Sequence, residues 1–279
     1  MTPPAPAGTW IIVAMKYAFM SFSCPKLGLA EMLALARRLG YDGIEPRISE
    51  GHNHGVELDA SPEKRAEIGR MAADSGVAIC CVATSCEYSD PGKADSQVDE
   101  TRRAIDLAAN IGAPCIRVFG GLLAKGLRRY EAIRLVADSL RSVAGHACGK
   151  GVTVCIETHD DWSDPAYVAE VMRRLDHPSV AVNWDFMHPG RAPGATVDES
   201  FVLVKPWIRH VHFHDGICRD GRIELKPVGQ GEVDVRRAVE LLSGIKYEGY
   251  ISGEWINWEP ADLHLPRELA AVKTYERPS

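Results

Sequence analysis

Short apolar runs alternate with longer amphipathic stretches along this chain. The runs, such as KYAFMSF, VTVCIETHD and VAVNWDFMH, are rich in apolar and β-branched residues, which is typical of parallel strands buried on both faces. The stretches between them, such as LAEMLALARRLG and SPEKRAEIGRMAADSG, repeat apolar residues every three or four positions and end at glycine, as helices do. The alternation occurs eight times and predicts an α/β protein.

The number of strand and helix units indicates how the sheet closes. Eight units in about 265 residues match the size of about 250 that is typical of a (β/α)₈ TIM barrel. The alternative, an open doubly wound sheet, usually carries a glycine-rich first turn, whereas SCPKLGLAEM follows the first strand here. We therefore predict one barrel domain over residues 15–279. Residues 1–14 contain three prolines and are expected to form a disordered extension, with Met1 or Met15 as the natural start.

The charge and the cysteine content of the chain indicate which kinds of partner and compartment to expect. The net charge is -6 and Lys and Arg form no long run, so a nucleic-acid surface is not expected. The N-terminal apolar stretch, residues 10–15, is too short for a signal peptide or a membrane span. The eight cysteines lack a C-x-x-C spacing, which favours buried thiols in a reducing cytoplasm. A cytoplasmic protein with a small-molecule substrate is expected.

Four polar residues stand where successive apolar runs end: Glu157, Asp185, His212 and Glu254. In a TIM barrel the carboxyl ends of the strands carry the active site, and these residues map to strands five to eight. Three carboxylates and an imidazole suit a hard or borderline divalent cation. A single glutamate in this position is usually an ordinary charge at a sheet edge, but four in the same context favour a metal site.

Several motifs together resemble one known family. In order they are I-E-T-H (156–159), N-W-D-F-M-H (183–188), H-V-H-F-H-D (210–215), P-V-G-Q-G-E-V-D (227–234) and I-S-G-E-W (251–255). This series resembles the xylose isomerase-like superfamily of sugar isomerases and epimerases over the chain from Lys16 onward. The resemblance implies one divalent ion per chain, Mn²⁺ or otherwise Mg²⁺, Co²⁺ or Zn²⁺, held by Glu157, Asp185, His212 and Glu254.

The same resemblance distinguishes the three histidines of one strand face. His210, His212 and His214 are spaced about 6.6 Å apart along an extended strand, too far for all three to bind one ion. His212 is preferred because Asp215 follows it by three positions, as in the H-x-x-[DE] pattern of the family. His214 is then expected at the mouth of the barrel, in contact with substrate, and His210 lower down.

The resemblance also implies roles in proton transfer. Glu157 and Glu254 match the two family glutamates that remove and return a proton, and a bound cation would stabilise the enediolate formed between these steps. His159 shares a strand side with Glu157 and could act as a base, contact substrate or be structural. His188 matches a position that hydrogen-bonds a substrate oxygen; a loop or capping histidine is the alternative.

Three further residues are candidate substrate contacts. Glu45 and Arg47 follow the second strand and could bind substrate hydroxyls or form a plain salt bridge. His54 lies in a glycine-containing loop that could be a mobile lid or simply a solvated segment. The family also has a Glu and an Arg where this chain has Ser163 and Cys218, so the substrate is expected to differ from the usual free ketoses.

These features predict a metal-dependent sugar, or sugar phosphate, isomerase or epimerase that acts by proton transfer. The alternative is a lyase or dehydratase on an oxidised sugar, a cyclitol or a C-glycoside, with His159 as base. An endonuclease IV-like nuclease is disfavoured because the chain is acidic and its pattern indicates a single metal ion. A binding protein without catalytic activity is disfavoured because all four expected metal ligands are present. Barrels of this kind commonly form homo-oligomers.

Overall fold

The computed structural model describes residues 15–188, 196–219 and 222–276, which form a parallel barrel surrounded by helices. The expected extension over residues 1–14 lies outside the described residues. In chain order the elements are β1 (Lys16–Met20), α1 (Leu29–Leu39), β2 (Gly43–Glu45), α2 (Pro62–Ser75), β3 (Ala78–Ile79), β4 (Val82–Ala83), α3 (Ala94–Ile111), β5 (Cys115–Val118), α4 (Arg129–Lys150), β6 (Thr153–Glu157), α5 (Pro165–Leu175), β7 (Val180–Asp185), α6 (Val197–Val204), β8 (Ile208–Phe213), β9 (Asp215–Arg219), β10 (Arg222–Lys226), α7 (Val235–Gly244), β11 (Tyr250–Gly253) and α8 (Ala261–Lys273).

The sheet runs in the order β3-β2-β1-β11-β8-β7-β6-β5-β4, and every pairing in it is parallel. β3 and β4 are the two end strands of this sheet, and they are consecutive parts of one strand that is interrupted at Cys80 and Cys81. The two ends of the sheet therefore meet, and the barrel nearly closes. The predicted single-domain TIM barrel is confirmed. The antiparallel hairpin β9–β10 is an addition that strand periodicity did not predict.

The helices begin and end where local sequence signals place them. The Ser61 hydroxyl accepts a hydrogen bond from the Lys64 N–H and caps α2, and Pro62 occupies the first turn. Helices α1 and α2 end at Gly40 and Gly76, which adopt left-handed φ angles of 81° and 73°. In the described residues, no helix is long and apolar enough to cross a membrane.

The barrel interior is divided into layers by the alternation of side chains along each strand. The lower layer consists of small residues, and it contains Ala18, Cys81, Cys115, Cys155 and Ala181. One step further along the strands the inward side chains become charged or aromatic. All eight cysteines are free, and six of them are buried. The small lower layer therefore leaves the polar chemistry concentrated at the carboxyl ends of the strands.

Trp162 packs under this end of the barrel, directly after the β6 loop. It is fully buried, and its indole N–H lies 3.0 Å from the Ser89 hydroxyl and 2.9 Å from the Gly121 carbonyl oxygen. A β-carbon on Gly120 would lie within 2.3 Å of the indole ring. The absence of a side chain at Gly120 is therefore what allows the β5 and β6 loops to pack together.

We predict that Gly120→Ala lowers the free energy of unfolding by about 1–3 kcal/mol, because overpacking displaces Trp162. Chemical denaturation with tryptophan fluorescence measures this change. The matched control is Gly145→Ala in α4, where nothing lies near the added methyl group and a gain of up to about 1 kcal/mol is expected. Equal stability of the two variants would contradict the packing argument.

Candidate metal centre

The four residues expected to bind metal converge at the carboxyl ends of neighbouring strands. Glu157 and Asp185 are the last residues of β6 and β7, His212 lies in β8, and Glu254 directly follows β11. Asp185 pairs in register with His212, which in turn pairs with Ser252. One ligand atom from each of the four side chains lies within 4.8 Å of the others, and all four residues are buried. The barrel thus gathers three carboxylates around one imidazole.

The charges within this cluster are strongly coupled. Burial alone would raise the pKa of Glu254, but the neighbouring His212 lowers it to about 2. Burial likewise opposes ionisation of Asp185, yet His214 and His188 hold its pKa below the usual range. Burial disfavours a charged His212, but Glu45 and Glu157 raise its pKa well above the usual range. Asp185 and Glu254 are therefore ionised, and a positive partner stabilises both of them.

A divalent cation fits this donor set. Glu157 Oε2 is fully buried and accepts no well-aligned hydrogen bond among the described residues; its one charged neighbour at this oxygen is Arg117 Nε at 3.1 Å, and a lone pair is left for a ligand. His212 Nδ1 faces the same region, 3.0 Å from Glu157 Oε1 and 3.5 Å from Glu254 Oε2. Oxygen-rich sites with one imidazole suit Mn²⁺, Mg²⁺, Co²⁺ or Zn²⁺. This buried cluster could hold a metal ion.

Arg117 is a site residue that the sequence reasoning missed. Its guanidinium Nε lies 3.1 Å from Glu157 Oε2, its Nη1 donates to the Thr84 carbonyl oxygen at 2.8 Å, and it stacks over the Phe119 ring. Both Arg117 and Glu157 are almost completely buried. The signal in the sequence was an arginine in the middle of the apolar run APCIRVFGG. Arg117 supplies a fixed positive charge beside Glu157.

Glu45, predicted to contact substrate or form a plain salt bridge, lies inside the barrel against two histidines. Its carboxylate is fully buried, with both oxygens 3.1 Å from His212 Nε2 and Oε2 also 2.8 Å from His210 Nε2. Burial alone would raise the pKa of Glu45, but the two histidines lower it well below the usual range. These ion pairs agree with the salt-bridge alternative, and a substrate contact by Glu45 stays a prediction.

Arg47 and His54, the other two predicted substrate contacts, both make contacts within the protein. Arg47 is buried and bonds to the Ile48 carbonyl oxygen, Glu50 and Ser85. His54 Nε2 lies 3.1 Å from the Arg47 carbonyl oxygen, and its Nδ1 accepts the Val56 N–H. Burial lowers the pKa of His54 to about 4, so the ring is neutral. These contacts indicate a structural role for His54 in an ordered loop.

Three histidines line up beside the four-residue cluster. The ring of His188 lies 4.1 Å from that of His159 and 5.6 Å from that of His214. His214 Nε2 is 3.0 Å from Asp185 Oδ2, and His188 Nε2 is 3.6 Å from the same oxygen. His188 Nδ1 has no hydrogen-bond partner in the described part of the chain. Burial lowers the pKa of His188 to about 4, so its ring is neutral.

His159 is the most exposed of these histidines, with 25% of its side chain accessible. Burial disfavours its charged form, but Asp160, 2.9 Å from His159 Nδ1, raises its pKa. The ring also packs against Phe119. His159 therefore lies on the solvent side of His188, at the entrance to the cluster.

Two other groups of side chains also have ligand atoms within 4.8 Å of one another. The first adds His188 and His214 to Asp185 and Glu254, and the second combines Glu45, Cys81 and His210. Both groups already bond internally through the His214 to Asp185 and His210 to Glu45 contacts. The set around His212 also bonds internally, through the His212 to Glu157 contact, but it differs from them in combining three carboxylates with one imidazole.

A family model described as the xylose isomerase-like TIM barrel matches residues 33–275. The chain belongs to this family. That match covers most of the barrel and all four residues of the cluster.

Individual relatives include both epimerases and dehydratases. A 3-dehydroshikimate dehydratase from Bacillus anthracis is 22% identical over 203 residues, which is 71% of each chain. An L-ribulose-5-phosphate 3-epimerase, UlaE, from Escherichia coli is 25% identical over 237 residues, which is 81% of each chain. The apo crystal structure of the 3-keto-D-glucoside 4-epimerase YcjR from E. coli superposes with a TM-score of 0.76 at 18% identity, covering 94% of this chain and all of that one. Membership in this family thus supports the conclusion that the chain is an enzyme of the epimerase and dehydratase group.

The family motif P-V-G-Q-G-E-V-D forms a loop that is held by Asp215. The carboxylate is fully buried; Oδ2 accepts the N–H groups of Gly229 and Gly231, and Oδ1 accepts those of Gly216 and Val233. Gly231 has no room for a side chain, because a β-carbon there would lie 2.1 Å from Asp215 Oδ1. Asp215 thus anchors the loop that leads from β10 to α7. Cys218, which stands where the family has an arginine, is exposed on the β9–β10 hairpin next to Arg219.

We predict that Asp215→Asn lowers the free energy of unfolding by at least about 2 kcal/mol, because an amide NH₂ would face backbone donors and leave them without an acceptor. Urea denaturation measures the change. The matched control, Asp74→Asn, alters an exposed residue of α2 and should shift stability by no more than about 0.5 kcal/mol. An Asp215 variant as stable as this control would refute the anchoring role.

Proposed function

We propose that this protein is a divalent-metal-dependent isomerase or epimerase that moves a proton at the carbon beside a carbonyl group of a sugar or sugar phosphate. The observation that carries the proposal is the buried cluster of Glu157, Asp185, His212 and Glu254 at the carboxyl ends of the barrel strands. The presence of 3-epimerases among the relatives supports the same reaction class.

In this proposal the four residues hold one ion, with Mn²⁺ preferred. A bound divalent ion would act as a Lewis acid on the substrate carbonyl oxygen and lower the cost of removing the neighbouring proton. Three carboxylates balance the ion and the Arg117 charge, so the site does not depend on an anionic substrate for neutrality. Both phosphorylated and unphosphorylated sugars therefore fit the proposal.

Glu157 and Glu254 are the proposed proton-transfer residues. Each has one carboxylate oxygen close to His212 Nδ1, at 3.0 Å and 3.5 Å. Each also has a second oxygen, so a carboxylate can hold the ion and still exchange a proton with substrate. Arg117 restrains Glu157 from one side and limits its movement. Removal of a proton by one glutamate and its return by the other would invert the configuration at carbon.

His188 and His214 are the proposed substrate contacts. His188 is neutral and has a free Nδ1, so it can accept or donate one hydrogen bond to a substrate oxygen. His214 is buried and tied to Asp185, which positions it beside the ion. Their rings lie edge to face at 5.6 Å and would form one wall of the substrate pocket.

The second candidate is a lyase, favoured by the position of His159. This ring stands at the entrance, 4.1 Å from His188, and Asp160 raises its pKa, which makes it a stronger base. Removal of a proton by His159 would create the same carbanion, and expulsion of a substituent from the next carbon would complete an elimination. One relative, the 3-dehydroshikimate dehydratase from B. anthracis, is named for a reaction of this elimination class.

We predict that Asp185→Ala removes both the metal and the activity, because loss of a buried carboxylate ligand leaves charge and coordination incomplete. Elemental analysis after dialysis should give about one ion per chain for the wild type and none for the variant. Asp74→Ala is the control and should keep its metal. Full metal occupancy in the Asp185 variant would overturn the ligand assignment.

We also predict that turnover in D₂O places deuterium on the carbon beside the carbonyl group, because the proton is exchanged through a side chain. The substrates to test are ketoses, their phosphates, 3-keto sugars, inososes and 3-dehydroshikimate. Mass spectrometry then separates the two candidates: an isomerase leaves the mass of the product unchanged apart from the label, whereas a lyase removes a fragment. An isomerised product without any solvent label would indicate a hydride shift and contradict the proton-transfer isomerase. An eliminated product needs no label at this carbon, because the proton is removed and not returned.

A further inference from the structure

Glu45 lies on the barrel strand β2, on the far side of His212 from the other three carboxylates. Both of its oxygens are 3.1 Å from His212 Nε2, whereas Glu157 and Glu254 approach His212 Nδ1. Glu45 and His212 are both fully buried. The two nitrogens of this one ring therefore face different groups of carboxylates.

Hydrogen-bonding rules determine which nitrogen carries the proton. An ionised carboxylate only accepts hydrogen bonds, so a stable contact with Glu45 requires a proton on His212 Nε2. Without an ion, the same rule places a second proton on Nδ1, which lies 3.0 Å from Glu157 Oε1. An ion in the proposed site would replace that proton, so that Nδ1 would bind it through a lone pair while the Nε2 proton still faces Glu45. The Glu45 contact thus selects the ring tautomer that can bind metal.

His210 completes the arrangement from below. Its Nε2 lies 2.8 Å from Glu45 Oε2, and this residue is also almost fully buried. A buried carboxylate without donors would be costly, whereas two imidazole N–H groups satisfy it. Glu45 is therefore held in place by one histidine while it orients the other.

We propose that Glu45 is a positioning residue of the metal centre, which fixes the tautomer and the orientation of His212 so that Nδ1 binds the ion. This inference rests on the proposed function, since it assumes that His212 is a ligand. Carboxylates that hydrogen-bond a metal-binding histidine commonly contribute 10- to 100-fold to metal affinity. Glu45 would act through His212 without touching either metal or substrate.

The test is a titration of Mn²⁺ and Zn²⁺ against a competing chelator, with wild type, Glu45→Gln and Glu45→Ala. We expect metal affinity to fall by about 10- to 100-fold in Glu45→Ala and by less in Glu45→Gln, which keeps one acceptor oxygen. The matched control is Glu268→Gln, another fully buried carboxylate, which accepts the Val228 N–H and belongs to none of the clustered groups of possible ligands. Its metal affinity should equal that of wild type.

A second measurement, on the wild type alone, keeps the inference testable if the Glu45 variants fail to fold. Imidazole ¹⁵N NMR of the zinc-loaded protein should show His212 protonated at Nε2 and bound to metal through Nδ1. The opposite tautomer would overturn the inference.

The outcomes separate this inference from the proposed function. A wild type that binds no divalent ion rejects the proposed function itself. A wild type that binds one ion, with unchanged affinity in folded Glu45 variants, rejects only the role of Glu45. Two ions in wild type and one in Glu45→Gln would also overturn it, because Glu45 would then be a ligand of a second ion together with Cys81 and His210.

Discussion

The interaction on which the whole site depends is the balance of charge around His212. Glu45, Glu157 and Glu254 all approach this one buried imidazole, and Asp185 lies beside it. Ionised carboxylates cannot be removed from water at this density unless positive charge or N–H donors accompany them. That compensation can come from the neighbouring histidines, from Arg117 and from a bound cation. The same charges therefore govern both the chemistry and the stability of the barrel centre.

The barrel makes this concentration of charge possible because small side chains and polar side chains occupy different layers of its interior. Alternating side chains on each strand put small residues, including Cys115 and Cys155, in the lower layer and polar residues in the layers above. His210 and His212 lie in β8 and His214 directly follows it. His210 contacts Glu45, His212 contacts Glu45 and Glu157, and His214 contacts Asp185. One strand therefore spans the depth of the site from Glu45 to Asp185.

The loops around the site are positioned by contacts that differ from those of the centre. Asp215 accepts three backbone N–H groups from the segment that follows the hairpin and one from Gly216 within it, and Trp162 packs against Gly120. Neither side chain needs a ligand to be satisfied. These loops are thus held by packing and backbone hydrogen bonds that are separate from the charged contacts of the centre.

The sequence by itself determined the barrel and which four residues meet at its end, because strand and helix periodicity are local and parallel strands necessarily bring their carboxyl ends together. It did not determine what Glu45, Arg47 and His54 do. Each was a plausible substrate contact, yet hydrogen bonds to His212, Glu50 and backbone carbonyl oxygens occupy them. Arg117 was missed for the same reason. These partners are distant in sequence or lie across the barrel, so only the closed tertiary structure decides which side chain a buried charge faces.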